Sequence, residues 1–187
     1  HKNVDEVVGL ALHEASHCIL TDFKMVKKLG NVILQDHKYK HLFPNRDHVF
    51  LFTNFMEDRR IDDFVYNSAP GYKAYYESMY ESSFFNDTID KGLKGTEYRT
   101  ETWESYMFRI INIFNPNSDL DALYNLRKIY DIIDLDHINR LKSTRDSIDV
   151  AMEITDIVRA SIIVERIINE DNFDQSVLEK SHKKEGE

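Results

Sequence analysis

Apolar residues recur at steps of three and four along most of the chain, the spacing that places them on one face of a helix. Val4, Val8, Ala11, Ala15 and Cys18 predict a first helix over 3–20. The stretch 24–43 is less regular, and within it Asn31-Val32-Ile33-Leu34 reads as a short strand or a buried loop. Pro44-Asn45-Arg46-Asp47 has the turn and capping residues that open a second helix over 47–67, which Pro70-Gly71 stops. An aromatic helix follows, carrying Tyr72, Tyr75, Tyr76, Met79 and Tyr80 with Phe84 and Phe85 at its end, and Gly92 to Gly95 marks a break. Amphipathic patterns then predict helices over 100–114, 118–133 and 144–170, with a short one over 135–141 and a polar, frayed tail after Asn172. Three prolines and six glycines are few interruptions for 187 residues. The expected fold is therefore mainly α with at most a small amount of β. A core over 1–98 would be followed by a helical subdomain over 99–172 and a flexible tail over 173–187.

Composition narrows the class. The formal net charge is −9 and the basic residues are scattered, so no stripe offers a nucleic-acid surface. Cys18 is the sole cysteine, which excludes an internal disulfide framework and a thiolate cluster within one chain, and fits a reducing compartment. No apolar run reaches the roughly 20 residues that span a bilayer, and the first residues lack the basic and apolar regions of a signal peptide. A soluble, cytoplasmic protein is the expectation. The motif described next begins a dozen residues from His1, which reads as a fragment lacking its upstream part.

Within the first helix stands His13-Glu14-Ala15-Ser16-His17, an HExxH pattern. Two imidazoles four residues apart share a helix face and can meet one ion, while Glu14 can reach a water on that ion. The apolar flanks Val7-Val8-Gly9-Leu10-Ala11-Leu12 and Cys18-Ile19-Leu20 place the histidines in or beside the core, where unpaired imidazoles are costly. Catalytic zinc commonly takes three protein ligands. In the second helix Phe50, Glu57, Ile61 and Phe64 keep core-facing spacing, so Glu57 stands where an apolar residue is expected and becomes the third-ligand candidate. Asp58 is its rival, either as ligand or as the group that accepts the free N–H of a liganding histidine. The alternative is that Asn54, Glu57, Asp58, Arg59, Arg60, Asp62 and Asp63 form a solvated, ion-paired helix face. Arg60 and a tyrosine of the aromatic helix, such as Tyr72 or Tyr76, are candidate donors to a developing oxyanion. His37 and His41 read as a surface loop, His48 as part of a helix start, and Cys18 as a small core residue.

The run Leu12 to His17, followed by Asn54-Phe55-Met56-Glu57-Asp58-Arg59-Arg60-Ile61-Asp62 and Pro70-Gly71-Tyr72, resembles the metallopeptidase domain of bacterial and phage proteins. That domain often accompanies a von Willebrand factor A module, as in proteins similar to a cobaltochelatase subunit. The resemblance covers about 13–76. It implies a zincin-like fold, zinc as cofactor, a peptide or protein substrate, and an A module or an ATPase as partner, in a bacterium or a phage-infected cell. Two features depart from the pattern: no Asp-x-Ser-x-Ser motif is present, and Ile61 stands where a thermolysin-like acid would follow Glu57. Glu57 and Asp58 remain open as third ligand. Besides a zinc endopeptidase, the sequence fits a catalytically silent, zinc-stabilised scaffold or a chelatase-type accessory module.

Overall fold

The computed structural model describes residues 4–184, with side chains over 4–172. It is 79% helix, and no strand occurs among the described residues. The α-helices are α1 (Val4–Leu20), α2 (Phe23–Lys27), α3 (Leu29–Gln35), α4 (Arg46–Ser68), α5 (Lys73–Phe84), α6 (Asp87–Lys94), α7 (Trp103–Ile111), α8 (Leu126–Ile133) and α9 (Thr144–Lys184), with 3-10 turns at Lys40–Asn45, Pro70–Tyr72 and Leu135–Arg140. None of these helices is long and apolar enough to cross a membrane.

The central element is α4, which packs most extensively on α9, while α1 lies mainly on α5 and also touches α4. Val49, Phe52, Phe55, Met56 and Ile61 of α4 are buried, and so are Glu57, Arg59, Arg60 and Asp62. A helix carrying this many buried charges needs partners on several sides, because an unpaired charge removed from water costs several kcal/mol. The main apolar cluster joins Leu29, Ile33, Val49 and Met56 to Tyr106, Ile129, Met152 and Val158, drawing on both sides of position 98. Gly9 is what lets α1 approach α5: a Cβ there would stand 2.3 Å from the carbonyl oxygen of Tyr75 and 3.0 Å from Cβ of Met79.

Several elements differ from expectation for local reasons. Residues 31–34 lie in α3, where Leu29 and Ile33, four apart, are buried on one face. The anticipated helix over 118–133 is reduced to α8. Upstream of it, Asn115 donates from Nδ2 to the Phe84 carbonyl and to Asp90, and accepts from the Asn117 amide, while Asp119 accepts from the Asp121 amide. Such side-chain bonds to backbone compete with helix. Gly92 sits inside α6, and the interruption falls after it. The last helix continues to Lys184 rather than ending near 170, and of the expected tail the final three residues lie outside the described ones. Cys18, read as a core residue, is exposed, as are Phe50 and Phe64 of the anticipated α4 stripe.

Candidate metal centre

Helix α1 and helix α4 meet through two pairs of residues, each spaced by four: His13 and His17 on one, Asp58 and Asp62 on the other. Nε2 of His17 lies 3.3 Å from Nε2 of His13 and 3.1 Å from Oδ1 of Asp58, and the His13 Nε2 to Asp58 Oδ1 distance is 3.7 Å. Two ligands each about 2.1 Å from a tetrahedral ion are roughly 3.4 Å apart. The three atoms therefore have the spacing of one coordination face. These three residues form the candidate metal-holding group among the described residues. The histidine side chains keep 13% and 15% of their surface and Asp58 keeps 32%, so the carboxylate forms the wetter edge of the cluster.

The remaining ring nitrogens are also occupied. Nδ1 of His13 meets Oδ1 of Asp62 at 2.8 Å, and Nδ1 of His17 meets Oγ1 of Thr21 at 3.0 Å. A proton on Nδ1 of each ring leaves Nε2 free to accept a cation, the arrangement by which an outer acceptor orients a liganding histidine. Tyr80 donates its hydroxyl to the other oxygen of Asp62. Burial, reinforced by Asp62 and opposed by Arg59, pushes the Tyr80 phenol upward, so it stays a donor. Burial works against a charged His13, but the Asp62 hydrogen bond and the Asp62, Asp58 and Glu14 carboxylates outweigh it and raise its pKa. The cluster as a whole favours a cation.

No protein-family model, curated protein or solved structure matches the chain.

Glu57, the first third-ligand candidate, is directed elsewhere. It accepts from Nε and NH2 of Arg60 at 3.0 and 2.6 Å, from Thr144 at 2.8 Å and from Ser147 at 2.8 Å. Its buried carboxylate is thus satisfied by Arg60 of α4 and by two hydroxyls of α9. Arg60 is committed as well, since NH2 also donates to the Leu20 carbonyl at 2.7 Å. Tyr72 is exposed in the Pro70–Tyr72 turn, with Tyr75 as its ring neighbour. The contacts of Arg60 and Tyr72 are thus with Glu57, Leu20 and Tyr75 rather than with the histidine rings. Glu14 is exposed beside His13.

The alternative of a solvated face does not hold for Asp62, which is 5% exposed and holds His13. Its signal was present in the sequence: Asp58 and Asp62 repeat the four-residue spacing of the two histidines, so both carboxylates can face both rings. Thr21 and Tyr80 carried no comparable mark. A cavity of about 650 Å³, with Arg59, Tyr80, Phe114 and Ile138 in its wall, shares Asp62 with this cluster but is not lined by His13, Glu14, His17 or Asp58. His41 pairs with Asp156 at 2.7 Å, away from His37.

Proposed function

We propose that the chain is a zinc-dependent hydrolase of the HExxH class acting on peptide bonds, with His13, His17 and Asp58 as the metal ligands. The observation that carries this reading is the 3.1–3.7 Å spacing of their three ligand atoms, reached by side chains from two different helices. The donor set fits zinc, which accepts imidazole and carboxylate together and leaves a further position for water. What zinc supplies when bound to such a set is acidification of a water and polarisation of a carbonyl.

The chain's own residues do the rest. Glu14 is exposed, and so accessible to water and substrate, and carries a carboxylate next to His13. It takes the proton of the attacking water and delivers it to the leaving nitrogen. Asp62 holds the His13 ring through Nδ1, and Tyr80 keeps the second Asp62 oxygen occupied, so the ring cannot turn away. A purely structural site would need His13, His17 and Asp58 but not Glu14.

The test is metal content of chelator-treated and zinc-reloaded protein, run with His13→Ala, Asp58→Ala and Glu14→Gln, alongside hydrolysis of an unstructured protein such as casein. One zinc per chain, lost in the first two variants and kept in the third, with hydrolysis lost in all three, supports the reading. Metal retained in Asp58→Ala overturns the ligand set. Zinc bound by wild-type protein that cleaves nothing points to the scaffold instead.

A further inference from the structure

The three residues that follow the liganding face of α1 are fastened one after another. The Leu20 carbonyl accepts from NH2 of Arg60 at 2.7 Å, the Thr21 hydroxyl meets Nδ1 of His17 at 3.0 Å, and the Asp22 amide donates to Oγ1 of Thr144 at 2.8 Å. Arg60 and Thr144 are in turn joined through Glu57, which accepts from both. Arg60 is 8%, Glu57 2% and Thr144 3% exposed. The bonds that Glu57 accepts from Arg60 and Thr144 are thus made away from competing water, where loss of one partner leaves the other unsatisfied at a cost of about 1–3 kcal/mol, while those to Leu20, Thr21 and Asp22 are part-buried. The network ties α1, α4 and α9 together at the end of α1 that carries His17.

We infer that Arg60 and Thr144 are positioning residues for the metal ligands: by holding Leu20 and Asp22 they set Thr21 against His17 and so aim Nε2 of His17 at Asp58. The inference rests on the metal-binding reading above. The chain of contacts is short. Thr21 has its neighbours on both sides pinned, so its hydroxyl has little freedom, and a hydrogen bond from Nδ1 to an oxygen held in place sets the tilt of an imidazole. At its other end α1 is located by the close approach of Gly9 to Tyr75. His13 and His17 lie between these two fixed points, and bond lengths at a metal tolerate errors of only about 0.2 Å.

The experiment is Co²⁺ titration of the full chain, followed by visible absorption and by competition with a chelator, on wild type, Thr144→Val, Thr144→Ser and Thr155→Val. Thr144→Val keeps the shape of the side chain and removes the oxygen that Asp22 and Glu57 share. Thr155→Val is the matched control: its hydroxyl is buried on the same helix and donates only to the Ala151 carbonyl. Circular dichroism confirms the folded fraction of each. The expected result is Co²⁺ affinity about 10- to 100-fold weaker in Thr144→Val, restored in Thr144→Ser and unchanged in Thr155→Val. Folded Thr144→Val that binds Co²⁺ as tightly as wild type overturns the positioning role and leaves the metal site standing. Equal weakening in Thr155→Val also overturns it, because the effect would then follow stability alone. Wild-type protein that takes up no Co²⁺ overturns the metal-binding reading, and this inference with it.

Discussion

Residues 57 and 58 are neighbours on α4 and serve different partners, because successive positions on a helix differ by about 100° in direction. Glu57 turns to Arg60, Thr144 and Ser147, and Asp58 turns to His17. Burial alone would raise the pKa of Glu57, but the hydrogen bonds of Arg60, Ser147 and Thr144 outweigh it and hold the carboxyl below its ordinary 4.5. A depressed folded-state value contributes stability that is present above the unfolded value and lost as the pH falls through the folded one. Glu57→Gln is therefore expected to destabilise the protein by about 3–5 kcal/mol at pH 7, since it leaves the Arg60 charge buried, and the gap should narrow once the pH drops below 4.5. Urea unfolding at neutral and acidic pH measures both. Asp62→Asn keeps the shape beside His13 while removing the charge, and should weaken zinc binding about 10- to 100-fold in a chelator competition. The histidine pair was readable because its spacing is local. The choice between Glu57 and Asp58 was not, because it is decided by Thr144 and Ser147, which lie 87 and 90 residues away from Glu57.

Helices were legible where periodicity is all that matters and illegible where side chains compete with the backbone. The first two long helices and the aromatic one fall close to their expected places, whereas within 112–125 the side chains of Asn115 and Asp119 accept from the backbone amides of Asn117 and Asp121 and hold turns. The apolar run of α1 misled in another way. It suggested burial, but Val4, Val7, Leu10 and Ile19 are exposed, and only Gly9 and Ser16 are buried. What fastens this helix is therefore close backbone contact and polar clamps rather than a broad apolar face. Gly9→Ala is the sharpest probe of that arrangement. The added methyl meets backbone that cannot move aside, so α1 must lift from α5. The expected cost is roughly 1–3 kcal/mol, read as a lower Tm, and metal affinity should fall with it as the histidines move from Asp58.

At the scale of the whole molecule, the HExxH helix sits at the edge of a helical body whose interior is knitted from early and late parts of the sequence. One place where those parts meet is the start of α4, where the His48 ring stacks on Trp103 of α7 with centroids 3.8 Å apart and planes 16° from parallel. Trp103 is the chain's one tryptophan, so all indole emission comes from this contact. Protonated imidazole quenches indole fluorescence and neutral imidazole does so far less. Burial lowers the His48 pKa from 6.5 against the opposing pull of Asp47, so emission should stay high through neutral pH and dim only on acidification below 6.5. His48→Gln should abolish that dimming. The same pair then serves as a built-in optical gauge of whether α4 and α7 remain docked, one that can be read without touching any residue of the metal centre.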